Sequence, residues 1–220
     1  MTKRCVLVCM AIFQSTAFSK MRKSFGNLTT YRSKGKNIVK EKVTEVSNPK
    51  TLPQRKQRTK FPALVELSGV LSQALSLGFA SRPKDYTPEN YFVHLNKEAM
   101  SAGDDLEVMV DYEALVLSKG NRALPSEMSV SADAESHSLT FTIGMEEFVV
   151  HSALDDEFYA TVLEKEKMQA KVFLLGTRAE VSEHVANLPA SWDMEQLEVY
   201  VFVVSKTHKK ASKTVYLTVE

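Results

Sequence analysis

The chain has 220 residues, 44% apolar and 25% charged, the composition of an ordinary globular chain of one or two domains with enough length to bury a core unaided by disulfide or metal. No run approaches the ~20 apolar residues of a membrane span, so integral membrane association is excluded. The formal charge of +1 conceals a division: residues 1–60 hold 15 Lys/Arg against Glu41 and Glu45, while residues 61–220 hold 13 Lys/Arg against 25 acids. A segment of such charge attracts polyanions or an acidic protein face, whatever fold lies beneath it.

Lys3 and Arg4, the apolar run Cys5 to Phe13, and then Ser15 and Ala17 give residues 1–17 the outline of a secretory signal. The run is short, Gln14 ends it, and Lys20, Arg22 and Lys23 follow at once, which is unusual past a cleavage site. Met10 offers a later start. Residues 1–18 are therefore read as an N-terminal extension or leader of a cytoplasmic or virion- or assembly-associated protein, with export as the alternative. Cys5 and Cys9, the two cysteines, lie too near the terminus to staple the body, and the five histidines are widely spaced. No cofactor or metal is expected.

From Asn27 to Val46 the residues Leu28, Tyr31, Ile38, Val39, Val43 and Val46 punctuate a basic stretch interrupted by Ser33-Lys34-Gly35-Lys36. Gly35 can take the positive φ of a tight turn, so the segment predicts a basic β-hairpin. These β-branched and aromatic residues argue against a disordered basic tail. Asn48-Pro49-Lys50-Thr51 ends it. A helix then starts at Thr51, with Gln54 at capping-box spacing, and Phe61, Leu64, Val65, Val70, Leu71, Ala74 and Leu75 recur at helical intervals up to Gly78. Pro62 predicts a kink or restart within it. A second helix is expected from Thr87, with Pro88 in its first turn and Tyr91, Phe92, Leu95 and Met100 inward, to about Gly103.

Beyond Gly103 the period changes to two. Leu106-Val108-Val110, Leu115-Leu117, Met128-Val130, Leu139-Phe141-Ile143, Phe158-Ala160-Val162, Val172-Leu174, Leu197-Val199-Val201 and Val215-Leu217-Val219 read as short strands. The fold class that follows is mainly β with two helices (α+β). A basic hairpin and two-helix region over 19–105 precedes an acidic β-sandwich of immunoglobulin or fibronectin kind over 106–220.

Gly26-Asn27, Tyr31 and Lys34-Gly35, followed by Asn48-Pro49-Lys50-Thr51, Gln54, Arg58 and Phe61, form a recognisable array, and Asp155-Asp156 and the pair Ser212 and Tyr216 extend it. The array resembles an uncharacterised family of Bacteroidetes and gut-metagenome sequences, a domain of unknown function. The resemblance spans Met10 to Glu220 and marks Gly35, Asn48, Pro49, Thr51, Gln54 and Phe61 as a structural signature. It implies a start near Met10 and no activity.

No catalytic constellation rises above background. The pairs Asp104-Asp105, Glu146-Glu147 and Asp155-Asp156 are what an acidic body produces by chance, and they lack the alternate spacing of a calcium loop. His137, His151, Ser152 and Asp155 suggest a triad only by proximity in sequence. The candidate partner- or polyanion-binding residues are Lys20, Arg22, Lys23, Arg32, Lys34, Lys36, Lys40, Lys42, Lys50, Arg55 and Arg58. On a hairpin Lys36, Lys40 and Lys42 share a face. The expectation is a non-enzymatic structural or protein-interaction module that docks on an acidic partner or a neighbouring subunit. The alternative is nonspecific nucleic-acid binding through the same segment.

Overall fold

The computed structural model describes residues 10–14, 22–42, 48, 50–144, 150–180 and 182–219, and the chain forms two compact units that divide between Lys50 and Thr51. The N-terminal unit is one antiparallel sheet of β1 (Met10–Phe13), β2 (Lys23–Phe25), β3 (Leu28–Ser33) and β4 (Lys36–Glu41), in the order β1-β4-β3-β2. The hairpin forms where the sequence places it: Ser33 pairs with Lys36 across Lys34 (φ 48°) and Gly35 (φ 80°). Two successive positive φ values make the two-residue turn whose twist matches that of the flanking strands. Another two-residue loop joins β2 to β3, where Phe25 pairs with Leu28 and one of the two loop residues, Gly26, has a positive φ of 55°. Val43, Val46 and Pro49 lie outside the described residues.

The second unit contains α1 (Leu52–Val70), α2 (Ser72–Gly78) and α3 (Pro88–Asn96), then β5 (Met100–Ala102), β6 (Val108–Val110), β7 (Met128–Asp133), β8 (Ser138–Ile143), β9 (Glu157–Glu164), β10 (Gln169–Thr177), β11 (Glu183–Asn187), β12 (Leu197–Val204) and β13 (Val215–Leu217). Its sheets are β10-β9-β12-β13, β11-β8-β7 and the pair β5-β6, all antiparallel. β12 organises the unit, because all eight of its residues are buried. Leu197, Val199, Val201 and Val203 enter a core shared with Val130, Leu139, Phe141 and Ile143 of the three-stranded sheet. Tyr200, Phe202 and Val204, on the opposite face, enter a core with Leu64, Leu67, Leu75 and Phe92 of the helices. A strand covered on both faces needs an unbroken apolar run, and Leu-Glu-Val-Tyr-Val-Phe-Val-Val comes close to one.

The helices thus share a core with strands that follow residue 106, and residues 51–105 group with the later strands rather than with the hairpin. Among the described residues there are three α-helices where two were expected. α1 runs unbroken through Pro62, because the carbonyl left unpaired by the missing N–H is that of Arg58, an exposed residue that water reaches. The break falls at Leu71 instead, where α1 and α2 meet at 79°. That bend lets Leu67, Leu71, Ala74 and Leu75 enter one core together. Thr51 is the N-cap, but its side chain makes no capping bond, so the Thr51–Gln54 capping box does not form. Thr87 does cap α3, accepting from Asn90 N at 3.2 Å.

Two strand readings are corrected. Leu106 has φ 72° and lies in a turn before β6. Leu115 and Leu117 are buried without belonging to a strand. Val172 and Leu174 do lie in β10, where Phe173 and Leu175 face the core with Phe141 and alternation turns Leu174, 51% exposed, to the opposite face.

Candidate functional site

Strand parity sorts the N-terminal sheet into two faces. One carries Met10, Ile12, Tyr31 and Ile38 with Lys36 and Lys40, since Met10 pairs with Lys40, Ile12 with Ile38, and Tyr31 with Ile38. The Tyr31 hydroxyl donates to Met10 Sδ at 3.5 Å, and Lys40 Nζ lies 5.8 Å from the centre of the Tyr31 ring. On the other face Phe13, Phe25, Leu28, Thr30 and Val39, with Arg22 and Lys23, line a concavity of about 630 Å³. Thr30 is buried and satisfies its hydroxyl by donating to Lys23 O at 3.1 Å. Both faces expose large apolar side chains, Met10 and Ile12 on one and Phe25 and Leu28 on the other. Among the described residues, none of this sheet belongs to either hydrophobic core of the chain.

The predicted cations divide between the units. Arg22, Lys23, Arg32, Lys34, Lys36, Lys40 and Lys42 gather on or beside the sheet, while Lys50 is the last residue of that unit. Lys42 follows β4, and its backbone N–H donates to Asn27 O at 2.6 Å. Arg55 and Arg58 stand on α1 in the second unit, and Lys20 lies outside the described residues, as do Cys5, Cys9, Glu146 and Glu147. Gln54, Arg58, Phe61 and Val65, at intervals of four, three and four, form one exposed stripe along α1, with Phe61 53% exposed.

A basic loop escaped notice in the sequence. Lys206, His208, Lys209 and Lys210 are exposed on the turn after β12. That turn is fixed by bonds from His208 N to Ser205 O at 2.7 Å and from Lys210 N to Ser205 Oγ at 3.1 Å. The run Lys-Thr-His-Lys-Lys is plain in the chain, but a total taken over the acidic body hides it.

Several titratable groups of the second unit are engaged by the fold. Buried Asp156 accepts from Ala153 N at 2.9 Å and lies 3.5 Å from Arg122 Nη1. Glu198 accepts from Tyr216 Oη at 2.6 Å and pairs with Lys165 Nζ at 2.8 Å. Burial, reinforced by the Glu198 carboxylate, pushes the Tyr200 and Tyr216 phenols well above their ordinary range. Burial and Glu157 do the same to Tyr159, whose hydroxyl donates to Glu157 Oε2 at 2.7 Å. His137 directly precedes β8, and His151 lies in a turn eight residues beyond the end of that strand.

Among the described residues no group of three or more His, Cys, Asp or Glu comes together as a metal ion requires, and no single helix is long and apolar enough to cross a membrane. No curated protein and no solved structure matches the chain. Residues 19–218 match the profile of a family of unknown function, DUF6266, and the chain belongs to that family.

Proposed function

We propose that this protein is a non-enzymatic assembly or protein-interaction module whose basic N-terminal sheet docks on an acidic protein surface, that of a neighbouring subunit above all. The observation that carries this reading is a single-layer sheet with exposed apolar side chains on both faces and cations along its margins. A sheet is stable when its apolar face is buried against a second layer. A covering layer bearing negative charge answers both the apolar and the cationic character of this one.

The acidic unit is then the scaffold, read as a sandwich of immunoglobulin or fibronectin kind. In support, β7 to β13 are seven antiparallel strands divided as β11-β8-β7 and β10-β9-β12-β13 around one core. A parallel bridge from Val130 to Val219 ties the first of them to the end of the chain. The non-enzymatic reading draws on the carboxylates Asp156 and Glu198, each bonded within the fold. On this reading the protein acts in the cytoplasm or in a virion or other assembly, with export as the alternative.

A second reading, nonspecific nucleic-acid binding, is favoured by Lys36, Lys40 and Tyr31 on one sheet face, cations beside an aromatic ring. Replacing Lys36, Lys40 and Lys42 together by Glu separates the two. On the assembly reading the variant loses oligomers; on the nucleic-acid reading it loses retained nucleic acid. A variant unchanged in both respects removes this face of the sheet from the contact.

A further inference from the structure

The groove on the N-terminal sheet has an apolar floor and a cationic rim, so its occupant must present an apolar side chain between anions. Phe25 and Leu28, 75% and 47% exposed, supply the floor, and Arg22 and Lys23 stand beside them. A volume of about 630 Å³ takes several side chains rather than a single one.

Such a presenter exists on the chain itself. Residues 98–113 hold six acids and no Lys or Arg, and β6 runs through their middle. Val108 and Val110 turn toward the helix core, so Glu107, Met109 and Asp111 lie on the opposite side as alternate residues of an extended segment. All three are exposed, Met109 by 62%. The pairing with β5 extends past both ends of β6, through Gly103 N to Glu107 O at 3.0 Å and Asp111 N to Ala99 O at 2.8 Å, so the ridge is held straight. Asp111 Oδ1 also accepts from Ala114 N at 3.2 Å, which fixes that carboxylate. Among the exposed large apolar side chains described in the second unit, Met109 alone has an acid at both alternate positions. A thioether on three rotatable bonds also fills an irregular cavity well.

We infer that the groove of one copy receives the Glu107–Met109–Asp111 ridge of a second copy. The groove and the ridge are different surfaces, so the contact is heterologous: each copy offers a free ridge after its groove is filled, and assembly runs head to tail into a ring or a filament. The inference rests on the assembly reading above and names its partner surface.

The test uses the full chain in two variants, one with Arg22→Glu and Lys23→Glu, the other with Glu107→Lys and Asp111→Asn, the latter keeping the bond to Ala114. Each variant alone faces like charge against like, and its half-assembly concentration rises by roughly tenfold or more. An equimolar mixture regains assembly, because the acidic groove of the first variant meets the basic ridge of the second and the unaltered ridge of the first meets the unaltered groove of the second. Sedimentation velocity reads all three samples, with circular dichroism to show that both variants are folded. If the groove variant dissociates while the ridge variant assembles like the wild type, or if the mixture fails to assemble, the ridge is not the occupant and the assembly reading still stands. A wild-type monomer at every concentration and salt overturns both.

Discussion

The Asn96 carboxamide grips the backbone of Val116 from both sides: Oδ1 accepts from Val116 N at 2.7 Å and Nδ2 donates to Val116 O at 3.0 Å. Asn96 is buried, and Nδ2 also reaches Phe92 O at 3.0 Å. The side chain therefore acts as a neighbouring strand for a buried segment that has none. Thr214 continues the support, its hydroxyl accepting from Leu117 N at 2.9 Å and Ser118 N at 2.6 Å.

Asn96→Ala removes the partner of the half-buried Val116 amide and carbonyl. The expected loss is about 2 kcal/mol, the low end of a penalty of about 1–3 kcal/mol for each unsatisfied group, because water reaches part of the site. Urea unfolding checks this through a lower midpoint at an unchanged slope.

Gly35 has φ 80° and nothing within 4 Å of the place a Cβ would occupy, so the cost of a side chain there is conformational rather than steric. Gly35→Ala costs the hairpin about 1 kcal/mol. Hydrogen exchange reports it as faster exchange in β3 and β4 with β12 unchanged, since the sheet and β12 belong to different units.

Pro62 lies exposed within α1 and denies the helix one hydrogen bond. Pro62→Ala restores the donor and raises stability by about 1–2 kcal/mol, less than the ~3 kcal/mol propensity difference because Pro also restricts the unfolded chain. Thermal unfolding of the variant at a higher temperature than the parent is the expected result.

Burial raises the phenols of Tyr112, Tyr159, Tyr200 and Tyr216 above their ordinary value of 10.0. A group whose folded pKa exceeds its unfolded value stabilises the fold fully below the unfolded value, and that contribution is lost as pH rises toward the folded one. Stability therefore falls above pH 10. These four protons leave as the chain unfolds, so tyrosinate absorbance from them and loss of far-ultraviolet circular dichroism coincide in an alkaline titration.

Much of the architecture was legible because local chemistry and packing agree. Lys34-Gly35 gives the turn, Thr87-Pro88 starts α3, and the alternation of Leu139, Phe141 and Ile143 gives β8. The errors have physical causes. Pro62 signals a break that an exposed carbonyl makes unnecessary, whereas the true break at Leu71 is set by core packing that no local signal carries. β11 was missed because Glu183-His184-Val185-Ala186-Asn187 offers only two apolar residues, one of them, Val185, exposed. The basic segment was legible from charge alone. Its groove was not, since Phe13, Phe25, Leu28 and Val39 come from four strands and meet only through sheet register. The acidic ridge was half visible, because placing Val108 and Val110 inward already turns Glu107 and Met109 outward.

The central claim is that the basic sheet is a protein-docking surface, and light scattering on the chromatographed full chain, at low and high salt with absorbance at 260 and 280 nm, tests it most directly. The account predicts a nucleic-acid-free oligomer that dissociates as salt screens its charges. A monomer at both salts, carrying nucleic acid that it sheds only in high salt, contradicts it.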